Sequence, residues 1–279
     1  MTSRGYRAAK GRPMSDRAVR DRLLGDEIER LYAENYGDYG VRRMHHLMRR
    51  QGWVVGRDQI ARVMKTRGIT GVRRGRTTFT TKPKMADSYR ADKVNRQFVA
   101  TRPCQLWVAN ITSVATWSGF AYVAFVIDVL SRRMVGWSVS STLKTDMLPL
   151  YALNMAAWLA PDDLTWLVHH SGRGSNYVSL TYTDRIIEIG GTPSVGSVGD
   201  SYDNALAESQ FALFKKEVIK KRRPWRTVHQ SELTTLEWLW WFNNQRLHSE
   251  LDYRTPAQIE TEYYAKNTPV LAPAIPGKQ

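Results

Sequence analysis

Cysteine is nearly absent from this 279-residue chain: Cys104 stands alone, which excludes a disulfide framework and a cysteine-rich zinc module. Long apolar runs are missing too. The longest, Phe120 to Leu130, is about half the ~20 residues that cross a bilayer and is broken by Asp128, so no membrane span is expected. The Arg-rich first residues lack the apolar core of a secretory signal, and with a single cysteine the expected setting is a reducing cytoplasm. Acid is scarce in the first 100 residues, where 24 Lys and Arg face 10 Asp and Glu, a net of +14; the other 179 residues carry only +1. The chain therefore has two unlike parts. The basic part suits a polyanion, and nucleic acid is favoured over lipid because nothing in the chain addresses a membrane. A merely solvated basic surface is the plainer alternative.

Residues 1–14, with Arg4, Arg7, Lys10, Arg12 and Pro13, show no apolar period and read as a loose basic arm. A helix is expected next, capped by Ser15 or Asp16, with Leu24, Ile28 and Leu31 at buried-stripe spacing. Asn35 to Gly40 ends it. Val41, Met44, Leu47 and Met48 predict a second helix closed by Gly52, and Ile60, Val63 and Met64 a third before Gly68. Three short helices with Gly-containing turns are the layout of a helix-turn-helix module over 15–70, whose last helix lies in the major groove. Arg42, Arg43, Arg57, Arg62 and Lys65 stand around those stripes and are the expected DNA contacts. Residues 71–98 open on Arg73, Arg74, Arg76 and Lys82 without periodicity and read as a basic linker.

From Leu106 the pattern changes. Three β-branched and aromatic runs, beginning at Leu106, Phe120 and Met134, are separated by turns at Ser118-Gly119 and Ser131 to Arg133, which predicts consecutive antiparallel strands. A helix over Thr145 to Leu159 follows, with Pro149 tolerable near its start, then a strand over Leu164 to Val168. A further helix is expected from about Tyr182 to Glu188, a short strand around Pro193 to Val195, and a glycine-rich loop from Gly190 to Gly199. Asp203 or Asn204 caps a helix running to about Lys220, and another spans about Glu232 to Arg246. The reading is an α/β fold with a mixed sheet, three antiparallel strands and then parallel ones, flanked by helices and preceded by the small all-α domain.

Three strings in this order are familiar: Trp107-Val-Ala-Asn-Ile-Thr, His170-Ser-Gly-Arg-Gly-Ser-Asn-Tyr177, and Asp203-Asn-Ala-Leu-Ala-Glu-Ser209. With Tyr36-Gly-Asp-Tyr-Gly-Val-Arg-Arg43 in the basic module, the chain resembles the DDE transposases of bacterial insertion sequences, relatives of retroviral integrases, from about Asp21 to Tyr264. The resemblance implies a ribonuclease H-like integrase core over 99–264, with 265–279 as a tail, and a reaction that cleaves DNA and joins strands. It implies double-stranded DNA as partner, both element ends and target. It also implies homo-oligomers on that DNA, in many relatives an upstream reading frame that adds further DNA-binding sequence, and association with the bacterial nucleoid.

Such transfer uses two Mg²⁺ (or Mn²⁺) ions about 4 Å apart to activate the nucleophile and stabilise the leaving oxygen. Mg²⁺ takes hard oxygen ligands in octahedral geometry, so carboxylates from several elements must converge. By resemblance the three positions are Asn110, Gly172 and Glu208, with 35 residues between the last two. The family carries Asp at the first two. Asparagine keeps an oxygen without charge and glycine has no side chain, so Glu208 alone is retained as a metal ligand, binding is expected to be weak or absent, and strand transfer is expected to be lost. The competing expectation is an active Mg²⁺-dependent transposase in which Asp128, Asp200 or Asp203 substitutes; alternation does not decide which way Asp128 faces, and Asp203 is better explained as a cap.

Lys215, seven residues after Glu208 and so nearly on its face, is expected to hold a phosphate beside the centre, with Lys216 extending the charge; a solvated helix end is the alternative. His169 and His170 are adjacent and on a strand point apart, which disfavours a shared zinc. Ser171 and Ser175 lack a Gly-x-Ser-x-Gly elbow, and the Gly190 to Gly199 loop lacks a Gly-Lys-Ser/Thr ending. Trp238, Trp240 and Trp241 are expected in a core or self-association surface before a base-stacking one.

Overall fold

The computed structural model describes residues 14–72, 92–172, 174–196, 204–222 and 225–267. The chain divides into two compact units, residues 1–77 and 78–279.

In the first unit α1 (Asp16–Glu34) starts where Ser15 accepts a hydrogen bond from the Ala18 amide, and it buries Leu24, Ile28 and Leu31. Met44 and Met48 of α2 (Val41–Arg50) and Ile60, Val63 and Met64 of α3 (Arg57–Thr66) complete that core. Both later helices end alike. Gly52 and Gly68 have φ of +84° and +68°, and the amides of Trp53 and Ile69 return to the carbonyls of Met48 (3.0 Å) and Met64 (2.9 Å). These bonds satisfy helix-end carbonyls through left-handed geometry that suits glycine. The expected three-helix module is what the chain forms.

The second unit is built on a five-stranded sheet in the order β3-β2-β1-β4-β5. β1 (Leu106–Thr116), β2 (Gly119–Asp128) and β3 (Met134–Ser140) form an antiparallel meander; β4 (Val168–Ser171) and β5 (Thr192–Val195) run parallel to β1. The mixed sheet expected from the sequence, ribonuclease H-like in its strand order, is therefore present. One face carries Trp107, Ala109, Ala124 and Val126 against Leu148, Ala152, Leu153 and Ala156 of the region of α4 (Pro149–Leu159) and Tyr182 and Ile186 of α5 (Leu180–Glu188). α4 approaches β3 so closely that a Cβ on Gly136 would lie 2.0 Å from the Ala152 carbonyl oxygen.

The other face is aromatic. Phe125 of β2 packs in a tilted arrangement on Phe211 and edge-to-face on Phe214 of α6 (Ala205–Phe214), with ring centroids at 4.9 and 5.2 Å, and tilted on Trp238 of α7 (Val228–Asn244) at 6.0 Å. Each such pair contributes about 0.5–1.5 kcal/mol beyond burial, enough to fix α6 on this face. α6 continues into a π-helical turn (Lys215–Ile219) and a last turn (Lys220–Arg222). α8 (Pro256–Asn267) follows a short 3-10 turn at Ser249–Leu251. Among the described residues no helix is long and apolar enough to cross a membrane.

Some boundaries differ from the sequence reading. The fourth strand is Val168–Ser171, because Leu164 to Leu167 form a turn in which the Leu167 amide reaches the Leu164 carbonyl at 2.9 Å. The helix expected from Thr145 begins at Pro149, after a 3-10 turn over Thr145–Met147, as proline at the first helical position favours. α7 starts four residues before Glu232, capped by Thr227, and stops at Asn244. Most of the 71–98 linker, the 1–14 arm apart from Met14, and Gly199, Asp200 and Asp203 fall outside the described residues.

Candidate active site

Asn110 sits in the middle of β1, directly opposite Phe125, so the two side chains share the aromatic face of the sheet. Its Oδ1 accepts the following amide, Ile111 N, at 2.9 Å. Ala109 and Ser171 are register partners across the parallel β1–β4 pair, which brings Gly172, the residue after β4, alongside position 110. The first turn of α6 is stitched to the same place. Asn204, the helix N-cap, makes no capping bond with its side chain and instead donates Nδ2–H to the Ala109 carbonyl at 3.0 Å. A Cβ on Gly172 would lie 3.7 Å from that Nδ2, ordinary contact distance, and the Gly172 backbone is not in the left-handed region.

Glu208 lies four residues beyond Asn204, one helical turn along α6 on the same side. Partial burial pushes its pKa above the ordinary carboxylate value, while the positive charge of Lys215 pulls it down. Lys215 is exposed where the π-helical turn begins; Lys216 is half-buried. The π-turn carries an acid that points deep into the unit. Glu217, fully buried, is held by Arg246 Nη2 at 2.7 Å and by Trp238 Nε1 at 2.9 Å. Of the three tryptophans, Trp238 and Trp241 are core and Trp240 is exposed.

The donor set does not suit a pair of Mg²⁺ ions. Glu208 is the single carboxylate of the three positions, the Asn110 oxygen is taken up by a backbone amide, and Gly172 supplies nothing. Among the described residues no group of three or more His, Cys, Asp or Glu side chains is arranged to hold a metal. Asp128 cannot stand in. It pairs with Trp107, three residues from Asn110 along β1, and so faces the opposite side of the sheet. There its carboxylate accepts from the Cys104 and Ser131 amides and the Ser131 hydroxyl, all at 2.9 Å, and burial raises its pKa. Asp200 and Asp203 lie outside the described residues.

The paired histidines diverge as expected. His169 meets the Tyr182 hydroxyl at 3.1 Å and His170 the Ser194 hydroxyl at 2.9 Å, both fully buried. Burial drives the His169 pKa down to about 3.

In the helical unit the expected DNA contacts differ in their surroundings. Arg43 pairs with Asp38 and lies over the Tyr39 ring, its guanidinium carbon 5.6 Å from the centroid. Arg62 is bound to Asp21 of α1 at 2.8 Å. Arg57 is exposed beside Asp58 at 3.8 Å. Arg42 and Lys65 are exposed along one groove with Gly40, Val41 and Met64, and neither has an ion pair among the described residues. Sequence reasoning took Asn204 only as a possible cap and did not read α8. The signal for α8 was present: Thr255 accepts from the Gln258 amide and Gln258 accepts from the Thr255 amide, a capping box with proline at its first helical position.

An HTH-like domain model matches residues 18–77, and two integrase core domain models match 100–201 and 190–256. The chain is 49% identical over 251 residues to the transposase for insertion sequence element IS629 of Shigella sonnei, covering 90% of this chain and 83% of that protein. It is 43% identical over 259 residues to a putative transposase for element IS986/IS6110 of Mycobacterium tuberculosis, covering 91% and 93%. Among solved structures it is similar to the HTLV-2 integrase catalytic core domain in complex with magnesium, at 15% identity and a TM-score of 0.44 over 57% of this chain and 98% of that one. This chain belongs to the insertion-sequence transposases that join an HTH-like domain to an integrase core.

Proposed function

We propose that this chain is a transposase-derived DNA-binding protein that has lost strand cleavage and transfer. The observation that carries the reading is the pair Asn110 and Gly172, one in the middle of β1 and the other just past the end of the parallel strand β4, which leaves Glu208 as the single carboxylate of the three positions. One carboxylate leaves a divalent ion mostly uncompensated, and Mg²⁺ gives up its water reluctantly for so little charge. The two-ion route to an in-line displacement is thereby closed. The helical module depends on neither position, so DNA binding outlasts the chemistry.

The proposed division of labour assigns DNA reading to residues 15–70, a basic tether to 71–98 and the integrase-like core to 99–264. Arg42, Arg57, Lys65 and Lys215 are the phosphate contacts best placed for the work. Arg43, Arg62 and Lys216 are the remaining proposed contacts, the first two in part holding their own domain together. The partner is double-stranded DNA, engaged by more than one copy of the chain on the bacterial nucleoid, with an upstream-frame protein as a further partner.

The test is a pair of measurements on the purified chain with a duplex carrying the inverted repeats that flank its coding sequence. Binding should weaken steeply as salt rises, with a log–log slope of about −0.9 per phosphate neutralised. Strand joining should be absent with either Mg²⁺ or Mn²⁺. Robust joined product, or a binding constant flat in salt, contradicts the reading.

A further inference from the structure

Asn204 is 5% exposed, yet its amide is only half used. Among the described residues one Nδ2–H goes to the Ala109 carbonyl at 3.0 Å and the other has no acceptor; Oδ1, which only a donor could satisfy, is likewise buried without a partner there. A primary amide offers two donors and a two-lone-pair acceptor, and buried polar groups are normally satisfied. An N-cap residue ordinarily turns its side chain to the free amides of its own first turn, and Asn204 does not. Its amide nitrogen instead stands 3.7 Å from where a Cβ on Gly172 would be. A carboxylate oxygen lies two bonds beyond Cβ, within hydrogen-bond reach of the second Nδ2 hydrogen.

We propose that Asn204 is a positioning residue for the side chain at position 172, binding α6 to β1 through Ala109 and using its second N–H to hold a carboxylate at 172 toward residue 110 and Glu208. The inference rests on the reading of 110, 172 and 208 as the family's catalytic positions. Its consequence is that the mismatch with a metal pair is confined to two side chains: the backbone frame and the residue that orients the missing carboxylate are both still in place. A Cβ on Gly172 needs no change of backbone region, and the described atom nearest to it is the Asn204 Nδ2, at ordinary contact distance.

The experiment uses the full chain and Mn²⁺ alone as probe, with free Mn²⁺ read by electron paramagnetic resonance. The unaltered protein is expected to bind no Mn²⁺ in the micromolar range, and the Asn110→Asp/Gly172→Asp variant to bind it there. Adding Asn204→Ala should weaken that binding about 10–100-fold, the usual cost of removing a partner that orients a metal ligand; Asn204→Ser, which keeps a donor on a shorter stem, should recover part of it. A second readout needs no metal. The melting temperature of Gly172→Asp, compared with Gly172→Ala, should be higher by a few degrees with Asn204 present, and that difference should vanish in Asn204→Ala. An unchanged Mn²⁺ affinity on Asn204→Ala, no Mn²⁺ binding by a folded double Asp variant, or zero coupling in the melting series each overturns the proposal. If the double Asp variant does not fold, the melting series alone decides. Strand transfer by the unaltered chain would sink the inactive reading instead, a different result from any of these.

Discussion

Asn110 and Phe125 stand opposite each other on β1 and β2, and that pairing orients the site. Phe125 is the ring on which Phe211 and Phe214 of α6 settle, so position 110 and the helix that carries Glu208 share one side of the sheet. The same register sends Asp128, opposite Trp107, to the other side, where it braces the Cys104 and Ser131 amides. A carboxylate close to Asn110 in the sheet is thus structural, and among the described residues it adds no charge on the side of Asn110.

The cations of the helical unit divide by what holds them. Arg42→Ala and Lys65→Ala should each weaken DNA binding and lower the magnitude of the salt slope by about 1, with little change in melting temperature. Arg43→Ala should lower the melting temperature as well, because it removes an ion pair with buried Asp38. Salt-titrated binding isotherms beside thermal melts separate the two classes. Equal melting losses for Lys65→Ala and Arg43→Ala would contradict the division.

The buried Glu217–Arg246 pair should be costly to break from either side. Glu217→Ala leaves Arg246, 2% exposed at its side chain, without its counter-charge and leaves the Trp238 indole N–H unpaired. A loss of about 3–5 kcal/mol is expected from denaturant unfolding. A loss under about 1 kcal/mol would contradict the cost assigned to breaking this buried pair.

His169 predicts a pH dependence. Its pKa falls from 6.5 in the unfolded chain to about 3 in the fold, so between those values the unfolded state binds the extra proton. Stability from this group is fully present above about pH 6.5 and is lost as pH falls toward 3, at up to about 1.4 kcal/mol per pH unit. His169→Gln should flatten the stability profile over that window, read by urea unfolding at a series of pH values. A profile of unchanged slope would contradict the assignment.

Much of this was legible in the sequence wherever one local signal decides the outcome. Ser15 announces α1, Gly52 and Gly68 close their helices, and the three β-branched runs give the meander. The fourth strand was displaced because an apolar turn, Leu164 to Leu167, looks more strand-like than Val168–Ser171, whose histidines are buried by partners on other elements. The buried Glu217 in the π-turn meets Arg246, 29 residues away in the chain, and Asn204 meets Ala109, 95 residues away, contacts that no local signal announces. Resemblance to the family's motifs pointed to positions 110, 172 and 208; only tertiary contacts show what surrounds them.

The central claim is that side-chain loss at two positions silences an otherwise intact transposase frame. The most direct measurement is strand joining on an end-containing duplex with Mn²⁺, comparing the unaltered chain with the Asn110→Asp/Gly172→Asp variant at equal DNA occupancy. The account predicts no joined product from the unaltered chain and clear product from the variant; joined product from the unaltered chain would contradict it.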